Sequence, residues 1–320
     1  MLYVVNDLHG SPRLIRKTVD AINNLQQGDT LIINGDGAGA RGPVMNSIVK
    51  TYYEVRRGET DEQALLDGLQ VIIGERPDIP PEWIYQAVHA GMFRKLMAER
   101  YEKFADIMQK ELEDVIDETL RPISEAALDK GVKVFYLPGN GEIVPQDFDT
   151  SDITTEQTVE PDKRYYQQRA KRDYFWHMYN IEYVPYLTRI PEEKALLIST
   201  HLLDMDDKSI HDLLDKHCLL TGTTGVKISF SKVIVHYPPA IAPIGRVFDF
   251  WTPNKSDIHR VEKLNKILGM IPVTKNAKEC FGHIHLGDQD QRMDRYPAFM
   301  GFEFGTRTCV WVKPGTLFEI

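Results

Sequence analysis

Four short apolar runs in this chain each give way to a turn carrying residues of metal-ligand type, and a fifth such turn lies near the end. Leu2-Tyr3-Val4-Val5 leads into Asp7-Leu8-His9-Gly10, and Leu31-Ile32-Ile33 leads into Gly35-Asp36. Val134-Phe135-Tyr136-Leu137 leads into Gly139-Asn140, Val233-Ile234-Val235 into His236, and the fifth place is Gly282-His283-Ile284-His285. The apolar runs read as buried strands. Ligands at several strand ends converge along one edge of a sheet, where α/β proteins place their sites. In a strand, residues i and i+2 point the same way, so Asp7 with His9, and His283 with His285, are each expected to reach one ion together.

The donor types narrow the metal. Carboxylate, amide and imidazole together suit Mn, Fe, Zn or Ni rather than Mg or Ca alone. One Asp-x-His pair is common by chance. The series is specific because order, strand context and ligand type agree.

Asp7-x-His9, Gly35-Asp36, Gly139-Asn140, His236 and Gly282-His283-x-His285 resemble the ordered motif set of the calcineurin-like metallophosphoesterases. His236-Tyr237-Pro238-Pro239 is similar to the stretch carrying that family's lone histidine, and Val312-Lys313-Pro314-Gly315-Thr316 to a turn that often follows its last motif. The resemblance implies an α/β fold of two facing mixed β-sheets flanked by helices, a four-layer αββα sandwich. It implies two divalent metal ions, with manganese favoured. Asp7, His9 and His285 would hold the first, Asn140, His236 and His283 the second, and Asp36 would bridge both. Two such ions about 3.5–4 Å apart can clamp the attacking and leaving oxygens of an in-line phosphoryl displacement, and a bridging hydroxide is the expected nucleophile.

Two places depart from the family pattern. Gly-Asn-His is usual at the third motif, but Gly139-Asn140-Gly141-Glu142 stands here. The absent histidine would protonate the leaving oxygen or steady the phosphate, and general acid catalysis is worth roughly 10²–10⁴-fold. Some phosphodiesterase branches lack it; His201, which also ends an apolar run, could substitute; or Gly141 marks an inactive form. Gly35-Asp36-Gly37-Ala38-Gly39-Ala40-Arg41-Gly42 is similar to the arginine turn of Ser/Thr protein phosphatases, one residue longer and without its second Asp. Arg41 either grips a phosphate oxygen or is a solvent-exposed loop arginine. Asn140, Arg41 and His201 are thus the catalytic candidates, Asn140 being also a metal ligand.

The expected function is hydrolysis of a small phosphoester, a phosphodiester or nucleotide before a phosphoprotein. The alternatives are a metal-binding scaffold without turnover and a Ser/Thr-type phosphoprotein phosphatase. With 47 acidic against 38 basic residues and a net charge of −9, loose binding to nucleic acid is disfavoured. No stretch reads as a signal peptide or is long and apolar enough to span a bilayer, so a cytoplasmic protein without a membrane partner is expected. Cys218, Cys280 and Cys309 each lie beside apolar neighbours and read as buried free thiols in a reducing compartment.

The chain reads as one domain, 1–320, because its last ligands return to the site of its first. Residues 44–129 read as a helical insertion. There Met97, Tyr101, Phe104, Met108, Leu112 and Val115 form one stripe, and Pro122 is expected to weaken or end the helix. Ser11-Pro12 reads as the start of a first helix. Basic and aromatic residues from Lys163 to Trp176 fit an amphipathic helix docked by its aromatic side better than a base-stacking site. Asp204, Asp206 and Asp207 fit a helix N-terminal region. His89, His177, His211, His217 and His259 fit structural or surface roles in helices.

Overall fold

The computed structural model describes residues 1–37, 102–140, 175–221, 229–285 and 291–320, with the side chains of 102–115 and of 242 and 243 left aside. The expected stripe, Arg41, Gly141, His89 and most of the 163–176 segment lie outside the described residues. The chain divides into two compact units: Met1–Ala38 with Glu118–Glu142 and Gln168–Ile320, and Gly39–Asp117 with Ile143–Gln167.

The first unit is built on two mixed sheets. β1 (Leu2–Asn6), β2 (Thr30–Asn34), β3 (Lys133–Leu137) and β4 (Ile181–Tyr183) run parallel in that order, with β11 (Phe318–Glu319) antiparallel on the outer side of β1. The second sheet has the order β5 (Leu187–Ile190), β6 (Ala195–Ile198), β7 (Phe230–Val235), β8 (Val273–Phe281), β10 (Arg307–Val312), β9 (Phe299–Phe304). Its inner pairs are parallel and its two outer pairs antiparallel. Parallel strands covered on both faces read as unbroken apolar runs, and β2 is buried at every position.

One apolar cluster joins Leu2, Val4, Ile32, Phe135 and Leu137 of the first sheet to Leu197, Ile234, Cys280 and Val310 of the second. That cluster is the core between the layers of an α/β sandwich. A second cluster covers the opposite face of the second sheet. It draws on the helices α3 (Thr200–Leu203), α4 (Asp207–Lys216) and α5 (Lys255–Met270).

Helix α1 (Pro12–Ile22) starts as its sequence directs. Ser11 Oγ accepts the Leu14 N–H and Pro12 sits in the first turn. Asp206 caps α4 by accepting the Ser209 N–H at 2.9 Å and Asp207 lies in its first turn, as expected, whereas Asp204 closes α3 instead.

Three expectations are corrected. α2 (Glu102–Lys130) continues past Pro122, so the proline does not end it. The lost backbone bond costs about 3 kcal/mol, but Ile116, Leu120, Ile123 and Ala127 are buried along one face, at about 1.5–3 kcal/mol for each large side chain. Cys218 is exposed, while Cys280 and Cys309 are buried. The third correction concerns the ligand turns below. Of the 163–176 segment, Phe175 is buried against Tyr136 and Tyr183, whereas Trp176 is exposed. Among the described residues no helix is long and apolar enough to cross a membrane.

Candidate metal centre

β1, β2, β3, β7 and β8 end at Asn6, Asn34, Leu137, Val235 and Phe281. The metal-type residues occupy the turns just beyond. Asp7, His9, Asp36 and His283 have φ of 53°, 49°, 46° and 65°. Strand alternation therefore does not aim Asp7 and His9; left-handed turn backbone does. Such conformations cost of order 1–3 kcal/mol each and persist only where surroundings fix them. Here backbone bonds carry on past the strand ends. Asp7 N–H donates to Gly35 O at 3.2 Å, His9 N–H to Asp36 O at 2.7 Å, Gly35 N–H to Leu137 O at 2.8 Å, and Gly282 N–H to His236 O at 3.1 Å.

The turns meet closely. Gly35 has φ 76°, and a Cβ there would overlap the His236 ring. A Cβ on Gly139 would overlap the Asp36 carboxylate. At both positions only glycine lets the backbone approach so near.

One group of donors comprises Asp7, His9, Asp36 and His285, with one ligand atom from each lying within 4.8 Å of all the others. His285 Nε2 is 3.7 Å from Asp7 Oδ1 and 2.9 Å from His9 Nε2. A second group surrounds Asn140 Oδ1, which is 2.9 Å from both His236 Nε2 and His283 Nδ1. Asp36 Oδ2 links the groups, at 3.8 Å from His9 Nε2 and 3.5 Å from His236 Nε2. All seven residues selected as metal ligands thus lie together. His201 opens α3, where Thr200 N–H donates to Pro138 O at 3.3 Å. That bond joins the start of α3 to the residue before the Gly139-Asn140 turn.

The donor set fits a divalent cation. Asp7 is fully buried, and burial pushes its carboxyl above the usual range. Its ion-pair partners among the described residues are the imidazoles of His9, His236 and His285. Desolvation, joined for His9 by the neighbouring His285, holds His9 and His283 below the usual imidazole range, which favours their neutral forms. His236 Nδ1 lies 3.3 Å from the Asn34 carbonyl. With its proton donated there, Nε2 presents a lone pair to the Asn140 oxygen. Lone pairs so close repel, and a cation between them removes the repulsion.

Sequence reasoning missed three residues that hold these groups. Asn6 and Asn34 are register partners at the last positions of β1 and β2, both fully buried. Asn6 Nδ2 donates to Phe281 O and Val312 O, and Asn34 Nδ2 to Val235 O. A polar residue closing a wholly apolar run was the available signal. Asp257, 3.3 Å from His283 Nε2, sits in the first turn of an ordinary amphipathic helix and carried none.

No family model matches the chain, and no curated protein matches it. Among solved structures, the chain is similar to the phosphopantetheinyl hydrolase (PptH) from Mycobacterium tuberculosis. The identity is 11% over 98% of this chain and 89% of that chain, with a TM-score of 0.30.

Proposed function

We propose that the chain is a dinuclear-metal-dependent phosphoester hydrolase acting on a phosphodiester or nucleotide, with manganese the favoured metal. The observation that carries this reading is the Asp36 carboxylate, which reaches imidazoles of both donor groups. Asp7, His9 and His285 would hold one ion and Asn140, His236 and His283 the other, with Asp36 within reach of both groups. When bound, the ions supply positive charge for a phosphoryl oxygen and lower the pKa of a water molecule. The protein fixes the geometry: Asp7 and His236 are fully buried, while His9 is 37% and His285 22% exposed at the side chain. His201, in the short helix that starts with a backbone bond to Pro138, is the group we assign to meet the leaving oxygen in place of the histidine absent at position 141.

The test is hydrolysis of bis-nitrophenyl phosphate with added manganese, alongside Asp36→Asn. Turnover that disappears in the variant supports the assignment. The glycine at 141 favours one other reading, a scaffold that binds metal without turnover. Manganese uptake with no hydrolysis across a broad phosphoester panel would establish that reading instead.

A further inference from the structure

His283, like His236, has a polar group against each ring nitrogen, and it alone of the two has a carboxylate outside the ligand set there. Nδ1 faces Asn140 Oδ1 at 2.9 Å, and Nε2 faces Asp257 Oδ1 at 3.3 Å. A neutral imidazole has one proton for these two positions. Asp257 is a charge-bearing acceptor and therefore the stronger claimant. It is itself fixed. Its other oxygen accepts the Asn254 N–H at 2.9 Å, while Asn254 Oδ1 accepts the Asp257 N–H at 3.0 Å, the reciprocal capping box of α5.

The neighbourhood braces the same pair. The Tyr237 ring lies against His283 with centroids 4.2 Å apart. Arg260, one turn along α5 from Asp257, donates to Tyr237 Oη at 2.7 Å and grips Asp204 through Nε and Nη2 at 2.7 and 2.9 Å. The imidazole is thus held on its face and at its outer nitrogen, and only its inner nitrogen is turned toward the donors of the site.

We propose that Asp257 is a positioning residue of the metal centre: it holds the Nε2 proton of His283 and so turns a bare Nδ1 toward the ion shared with Asn140 and His236. One carboxylate then does two things, closing the first turn of α5 and fixing the tautomer of a ligand. The inference rests on the metal-centre reading above. Loss of such an outer carboxylate typically weakens metal binding by about 10–100-fold.

The test uses the metal-stripped full chain titrated with manganese by calorimetry, together with long-range ¹⁵N–¹H correlation of its histidines. In the unmodified protein His283 should carry its proton on Nε2 before metal is added. Asp257→Ala should weaken one of two manganese sites by about 10–100-fold and leave the other within about twofold. Asp257→Asn, which still offers an acceptor oxygen, should fall between. Asn254→Ala removes the same helix cap without touching His283. It should lower the unfolding midpoint and keep both sites.

Three results overturn the proposal: an Nδ1-protonated His283, two sites unchanged in Asp257→Ala, or an Asn254→Ala protein that loses metal as badly as Asp257→Ala. A wild type that takes up no manganese at all sinks the metal-centre reading itself. Equal uptake by wild type and Asp257→Ala sinks only the role given to Asp257.

Discussion

The Asn34 side-chain amide donates to Asn6 Oδ1 across 2.9 Å, joining the last residues of β1 and β2 inside the protein. Through their remaining bonds the two asparagines also hold the carbonyls that end β7, β8 and β10. Both sheets are therefore pinned together directly beneath the ligand turns. Asn6→Ala strands two buried carbonyls and one amide donor, at about 1–3 kcal/mol for each group left unpaired. The expected result is a urea midpoint lowered by at least about 2 kcal/mol of stability, with weaker manganese binding. An unchanged midpoint would show that the pin contributes nothing.

Gly35→Ala is expected to damage the site through direct contact with one of its imidazoles. The residue has φ 76° and its Cβ would meet the His236 ring. Left-handed backbone alone costs an alanine about 1–2 kcal/mol, and relief of the overlap moves His236 away from Asn140. Calorimetry should find one manganese site lost or much weakened. Two intact sites would contradict the geometry described for this turn.

Manganese should stabilise the fold. Asp7 and Asp36 are buried carboxylates that face imidazoles, and a cation beside them offsets the cost of burying their charge. A ligand at a hundredfold excess over its Kd adds about 2.7 kcal/mol. Thermal melts with manganese and then with chelator should differ in midpoint, and the difference should vanish in Asp36→Asn. Coincident melts of the unmodified protein would argue against a bound ion.

Glu279 makes the protein pH-sensitive away from the metal centre. It is fully buried on β8, and desolvation pushes its carboxyl up to about 7 although Arg307, 2.7 Å away, opposes the shift. Its Oε1 has no hydrogen-bond partner among the described residues. The unfolded chain releases this proton near the ordinary value of 4.5, well before the folded one does. Stability from this group is thus highest below about 4.5 and falls as pH rises to about 7. Glu279→Gln cannot ionise. Relative to the unmodified protein it should gain stability between pH 5 and pH 8 in urea titrations. A constant difference over that range would rule the ionisation out.

Much of this was legible in the amino-acid order. Apolar runs such as Thr30–Asn34 announced buried parallel strands, and Ser11-Pro12 announced the start of α1. Other features gave misleading local signals. Pro122 reads as a helix end, yet its helix is held by burial at Ile116, Leu120, Ile123 and Ala127. Cys218 reads as buried but follows the helix end of α4 with φ 54° and is exposed.

The sequence by itself determined the kinds of ligand present and the strand ends after which they come, because strand periodicity and donor chemistry act within a few residues. Tertiary structure alone decided that His9 and His285, 276 residues apart, meet at 2.9 Å, that Asp36 stands between two donor groups, and that Asp257 rather than solvent faces the outer nitrogen of His283. Those meetings depend on how two sheets and a helix pack, and packing is set by the whole core.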